Sequence, residues 1–391
     1  MRAFFYGLFA KPLSYIVPIK KNSWVLGSDY GNQYREGSKS LLEYMVKNHP
    51  EYDCVFITQN LKVKNELASK KIPCLMNNSI KGIWKVLRAE VVFTTQAAAD
   101  IQLVYKKRQR KYIFLSHGQP YKVAFQALPK HYWDALRPNT KTSVKQRIIQ
   151  FFTKGYHYTE SVFFTSTSDF LIPYNKLYYG INANVRVLGM PRNDILFNEE
   201  KIKREKWLPG VNGMFVITYM PTHRNYGEGE ASPIPFANNL VVQEWLENNN
   251  AILLVKQHPN MEKKSTMPSM PNCIMDITHS CIDPQTLLYY SNILITDYSS
   301  VWIDYLLLQR PILFYFYDNY EKNDAGVLYD IREDPPGHLC KTEEELFELI
   351  KKCKKNFNIM KPSDRIVSKY HKYVDDNSCE RYFEAIVYKD R

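Results

Sequence analysis

Along most of this chain, short apolar runs stop abruptly at polar residues. Segments whose apolar positions recur every three or four residues follow them. SWVLGS (23–28) and DCVFIT (53–58) predict strands, and SKSLLEYMVKNHP (38–50), apolar at Leu41, Leu42 and Met45, predicts an amphipathic helix between them. IPCL (72–75), SIKGIWKVLRA (79–89), VVFTT (91–95) and KYIFLSHG (111–118) continue the rhythm, and SVFFTST (161–167) and VRVLGMP (185–191) resume it. Strands alternating with helices predict right-handed βαβ units and mainly parallel sheets. KIKREKWLPGVNG (201–213), charged and bearing Pro and Gly, reads as a linker. A second set of units follows it, through MFVITYMPTHR (214–224), AILLVKQHPN (251–260), NILITDYSS (292–300) and PILFYFYD (311–318). Thr342 with Glu345, and Asn377 with Glu380, have capping-box spacing ahead of two closing helices. The expected fold is α/β, with two doubly wound Rossmann-like domains over 1–200 and 201–391, an inter-domain cleft and a C-terminal helix.

Two stretches break the rhythm. MRAFFYGLFAKPLSYIVPIKK is aromatic and aliphatic but interrupted by Lys11 and Pro12, too short in apolar residues to span a bilayer and without a cleavage site typical of a signal peptide. It predicts either a segment lying on a membrane, with Phe4, Phe5, Phe9, Tyr15 and Ile16 inserted and Arg2, Lys11, Lys20 and Lys21 at headgroup level, or a first helix packed on the protein. Residues 129–160 set Ile148, Ile149, Phe151 and Phe152 beside Lys145, Arg147 and Lys154, which reads as a patch for acidic headgroups or as a plain solvated face.

Composition sharpens this picture. With 391 residues, two domains are the default, and 45% hydrophobic with 14% aromatic residues exclude disorder. A net charge of +12 implies an anionic partner. Seven scattered cysteines without a CxxC pair read as reduced thiols in a cytosolic protein.

The candidate chemistry lies where the strands end. LSHGQPYK (115–122) puts His117 after a strand with Gly118 beside it, and GMPRND (189–194) joins Gly189 to Arg192. YMPTHR (219–224) brings Thr222, His223 and Arg224, VKQHP (255–259) brings Lys256 and His258, and TDYSS (296–300) brings Asp297, Ser299 and Ser300. Asp and Ser before an apolar helix serve equally as a cap or as an anion site. Five such clusters in a doubly wound pattern point to one polar cleft for a phosphate-bearing donor, with a histidine free to take a proton. GxGxxG, GxxxxGK[ST], HExxH and GxSxG are all absent, which argues against dinucleotide, P-loop, zincin and hydrolase chemistry. No DxD or tight carboxylate pair suggests a metal, and no metal or cofactor is expected.

In order, these clusters resemble the CDP-glycerol glycerophosphotransferase family, which primes or extends teichoic acids and related capsule polymers. HGQPYK is similar to its HG-x-P-x-K, GMPRND to its G-x-PRND, YMPTHR to its Y-x-PT-x-R and KQHP to its histidine–proline strand end. TDYSSVWIDYLLLQRPILFY is similar to its DYSS…D…P block, and DDNSCERYFEAI to its closing D-x5-R helix. Gln119, Tyr121 and Gly37 depart from the family pattern on the presumed acceptor side. The resemblance implies a GT-B-like fold, an acceptor-side first domain with membrane-proximal segments, and a CDP-donor-binding second domain. It implies transfer of glycerol phosphate from CDP-glycerol to a lipid-linked acceptor with release of CMP, at the cytoplasmic face of an anionic membrane as a peripheral protein and without nucleic acid. The alternatives are a CDP-ribitol enzyme, another GT-B nucleotide-sugar transferase, or a non-catalytic membrane or nucleic-acid binder. By motif, His117 and His258 are the implied catalytic histidines, with His117 as base. Arg192, Arg224, Thr222, Ser299, Ser300 and Gly189 would hold donor phosphates and nucleotide, with Asp297 orienting the loop.

Overall fold

The computed structural model describes residues 2–102, 104–129, 143–222, 233–257, 271–318 and 326–388, with side chains from residue 6 onward. Strands β1 (Lys20–Leu26), β2 (Asp53–Thr58), β3 (Cys74–Met76), β4 (Ala89–Thr94) and β5 (Lys111–Phe114) form a parallel sheet in the order β3-β2-β1-β4-β5. A short parallel pair, β6 (Phe164–Ser166) and β7 (Val185–Val187), follows. The second sheet takes β8 (Phe215–Tyr219), β9 (Ala251–Val255), β10 (Ile274–Asp276), β11 (Ile293–Thr296), β12 (Ile312–Tyr315) and β13 (His338–Cys340) in the order β10-β9-β8-β11-β12-β13. Every pairing in it is parallel. β9, β11 and β12 are buried along their whole length, as strands covered on both faces must be. Each sheet starts at an inner strand, runs to one edge and returns to the other side, so the order reverses between β1 and β4 and between β8 and β11. At such reversals the connecting loops diverge and leave a crevice at the carboxyl ends of the strands.

The closing helix departs from its expected place. Ser378–Val387 buries Cys379, Tyr382, Phe383 and Ile386 against Trp24, Phe56 and Phe93, in the core of the first domain. Its cap also differs from the Asn377–Glu380 pairing that the spacing predicts. The Asn377 side chain makes no cap bond, and Asp194 instead accepts from the Ser378 and Cys379 amides at 3.1 and 2.8 Å. A capping carboxylate can come from anywhere in the chain, so local spacing cannot find it. Thr342 does cap its helix, accepting from the Glu345 amide at 3.2 Å, while the Glu345 carboxylate reaches the Lys341 amide at 2.8 Å.

The loop after β5 crosses to the second domain. Leu328 N–H donates to the Tyr121 carbonyl at 2.8 Å, Val123 N–H donates to the Gly326 carbonyl at 2.9 Å, and Tyr121 meets Trp302 edge-on at 5.6 Å. Gln119 is buried, donating to the Thr165 carbonyl at 3.3 Å and accepting from Asn175 at 3.2 Å. Two of the three departures from the family pattern, Gln119 and Tyr121, are therefore packing positions.

The N-terminal helix, Arg2–Ile16, packs against Val144–Thr153. Ala10 and Ser14 are buried and Lys11 Nζ sits 3.3 Å over the Phe151 ring, while Phe9 (73%), Ile16 (78%) and Val144 (74%) stand exposed. Residues 130–142 lie outside the described residues, as do the side chains of Arg2, Phe4 and Phe5. No helix among the described residues is long and apolar enough to cross a membrane. All seven cysteines are free.

Candidate active site

β5 ends in Leu115 and Ser116, and His117 follows with its ring open to the cleft. The His117 carbonyl accepts from Arg192 Nη1, and the Thr95 backbone at the end of β4 favours the protonated ring. A neutral imidazole carries one nitrogen able to accept a proton. Desolvation by the surrounding groups lowers the His117 pKa from its ordinary value; Glu36 opposes this, while Arg192 and Arg35 add to it. The ring is therefore neutral at neutral pH, the state a general base requires.

Gly118 has φ +152 and faces the second domain, and a Cβ on it would stand 3.2 Å from Ser300 Oγ and 3.1 Å from Arg192 Nη2. A side chain there would fill the space between the His117 loop and the DYSS loop. Ser300 is the N-cap of Val301–Leu306 but makes no side-chain cap bond, and Ser299 Oγ accepts only a long 3.5 Å contact from the Val301 amide. The hydroxyls are therefore not spent on capping. Asp297 is fully buried, and its Oδ1 accepts from the Thr222 amide at 2.7 Å, joining the loops after β8 and β11 across the strand-order reversal.

Two residues expected to bind the donor have protein partners in the structure. Gly189 has φ +78, and a Cβ on it would lie 2.5 Å from Ser378 Oγ, so this glycine admits the closing helix. Arg381 completes that joint, with a bidentate pair to Asp375 at 2.8 and 3.0 Å and a 2.9 Å bond to the Leu188 carbonyl. Arg192 is buried and committed to carboxylates: Nη1 to Glu36 at 2.8 Å and Nη2 to Asp304, whose other oxygen accepts from Asn193 at 2.7 Å. His258, His223 and Arg224 lie outside the described residues.

Sequence reasoning missed Glu36, Arg35 and the role of Asp304. Glu36 carries no motif, and its backbone sits at φ +62 at the start of its helix. Burial alone would raise its pKa, but Arg192 overrides this and holds it below 4.5. Lys256, just after β9, has its pKa lowered by burial and then by the charge of Arg35. Among the described residues no group of three or more His, Cys, Asp or Glu side chains is placed to hold a metal ion.

Two doubly wound parallel sheets whose polar strand ends meet across a cleft define a GT-B-like fold, and the wall teichoic acid polymerase TagF shares it, with a TM-score of 0.72 at 21% identity over 99% of this chain and 92% of that one. Residues 9–388 match the family CDP-Glycerol:Poly(glycerophosphate) glycerophosphotransferase, and this chain belongs to it. The teichoic acid poly(glycerol phosphate) polymerase of Bacillus spizizenii is 29% identical over 374 residues, 92% of this chain and 89% of that protein. Its namesake from Bacillus subtilis is 27% identical over 348 residues; these are 86% of this chain but 44% of that relative, so the chain spans less than half of its length.

Proposed function

We propose that this protein transfers glycerol phosphate from CDP-glycerol to a hydroxyl of a lipid-linked acceptor in the synthesis of a teichoic acid or similar polymer, releasing CMP. The observation that carries this reading is the approach of Gly118 to Ser300, which sets a neutral histidine on one domain opposite uncommitted hydroxyls on the other. The free ring nitrogen of His117 takes the acceptor hydroxyl's proton as its oxygen attacks the phosphorus that carries glycerol. The bond from that phosphorus to the bridging oxygen breaks, and CMP departs with the oxygen. Ser299 and Ser300 hold the diphosphate, and Asp297 holds the loop through Thr222. His258 and Arg224, carried by motif, complete the donor side. The test is CMP release from CDP-glycerol by purified protein with a glycerol-phosphate-terminated acceptor, run beside CDP-ribitol. No release from either substrate overturns the reading, and release from CDP-ribitol alone replaces the polyol.

Hydrogen bonds to charged groups contribute about 1.5–3 kcal/mol, so Ser300→Ala is expected to weaken CDP-glycerol binding roughly ten- to a hundredfold. Because the Ser300 side chain makes no cap bond, the thermal midpoint of this variant should stay at the parent value. Calorimetric titration and a melting curve on one preparation check both, and a lowered midpoint with normal affinity would restore the capping role.

The exposed apolar side chains of the first helix and of Val144–Thr153, beside exposed Lys145 and Arg147, support docking on an anionic membrane surface at its cytoplasmic face. The protein is expected to sediment with anionic liposomes and to be released only partly by high salt. The double variant Phe9→Glu, Ile16→Glu should lower partitioning by roughly tenfold or more, since burying each such side chain contributes about 1.5–3 kcal/mol. Donor turnover with a soluble acceptor should stay unchanged. Full-length protein left in the supernatant at low salt would exclude membrane docking.

A further inference from the structure

We propose that Arg192 is a positioning residue that sets the distance between the catalytic base and the diphosphate-binding loop. The proposal rests on the functional reading above. The guanidinium is buried between the domains, where a lone charge would be prohibitive and a partnered one is held firmly. On the first-domain side Nη1 donates to the Glu36 carboxylate at 2.8 Å and to the His117 backbone carbonyl, so it grips the very peptide that carries the base. On the second-domain side Nη2 donates to Asp304 Oδ2, while Asn193 holds Oδ1 at 2.7 Å. Nε lies 3.3 Å from the Gln285 amide oxygen when that amide is turned to accept.

Asp304 stands four residues after Ser300, one helical turn along the same face. Fixing Asp304 therefore fixes the direction of the turn that presents the Ser300 hydroxyl. The planar fork of arginine spans both carboxylates at once, which the single ammonium of lysine cannot do. These contacts engage four of the five N–H donors of Arg192 and leave one on Nη2.

Two mild substitutions test this. Arg192→Lys keeps the charge but loses the fork, and is expected to lower kcat by about 10–10²-fold, the scale of a 1 Å misplacement, with CDP-glycerol Kd within about threefold of the parent. Among the described residues the charged groups acting on the His117 ring are Glu36, Arg35 and Arg192. Glu36→Gln removes the one that favours the protonated ring, so the acidic limb of the kcat/KM profile should move to lower pH. In Arg192→Lys, which keeps the cation, that limb should stay in place. A donor Kd weakened tenfold or more in Arg192→Lys would make Arg192 a phosphate ligand and overturn the proposal. Parent-level kcat in that variant, or an unmoved acidic limb in Glu36→Gln, would also overturn it. Failure of the parent protein to release CMP from CDP-glycerol would instead remove the functional reading itself.

Discussion

Replacing His117 with alanine is expected to lower turnover by about 10²–10⁴-fold, the usual contribution of a positioned general base, while leaving CDP-glycerol affinity near the parent value. The split follows from the geometry. His117 follows a strand of the first domain, whereas the hydroxyls assigned to the diphosphate belong to the second. The parent enzyme should also hold its rate on acidification until below pH 6.5, because desolvation and the neighbouring guanidinium groups depress the His117 pKa. The sign is that of a base active when unprotonated: its rate is full above the folded pKa and falls as pH drops through it. A steady-state pH profile and a donor titration on the variant check both, and near-parent turnover would remove His117 from the reaction.

The other large effect belongs to Trp302. This side chain is fully buried two residues beyond Ser300, and it meets Tyr121, Tyr370 and Phe314 edge-on at 5.6, 4.8 and 5.9 Å. Tyr121 comes from the loop that follows His117, so the indole joins the two halves of the site by packing as Arg192 joins them by charge. Trp302→Ala removes the largest side chain of that cluster and is expected to cost about 3–5 kcal/mol, since neighbours fill such a cavity only in part. The denaturant midpoint should fall accordingly, and donor affinity should fall with it because the Ser299–Ser300 turn loses its support. Trp302→Phe, which keeps a ring in the cavity, should recover a large part of the loss. A Trp302→Ala midpoint within about 1 kcal/mol of the parent would show that the cluster repacks freely.

What could be read in the chain alone and what could not divide along one physical line. DCVFIT predicts β2 residue for residue, and the TDYSS, HGQP and KQHP clusters all mark ends of parallel strands. Runs of buried apolar residues and the polar breaks that end them are local properties, imposed by hydrogen bonding and burial within a few residues. The order of the clusters was likewise enough to carry the family resemblance. The partners of the charged groups were not local. GMPRND reads as a phosphate cluster because Gly and Arg are the right residue types. In the folded chain Gly189 makes room for Ser378, Asp194 caps the closing helix, and Arg192 reaches Glu36, 156 positions away, and Asp304, 112 positions away. Gln119 and Tyr121 are packing positions for the same reason. The sequence by itself determined two doubly wound sheets and the strand ends where chemistry belongs, because those depend on periodicity and burial. Only the tertiary structure decided which of those polar residues face the cleft and which hold the domains together, because a buried charge takes its partner from whatever the fold brings within about 3 Å.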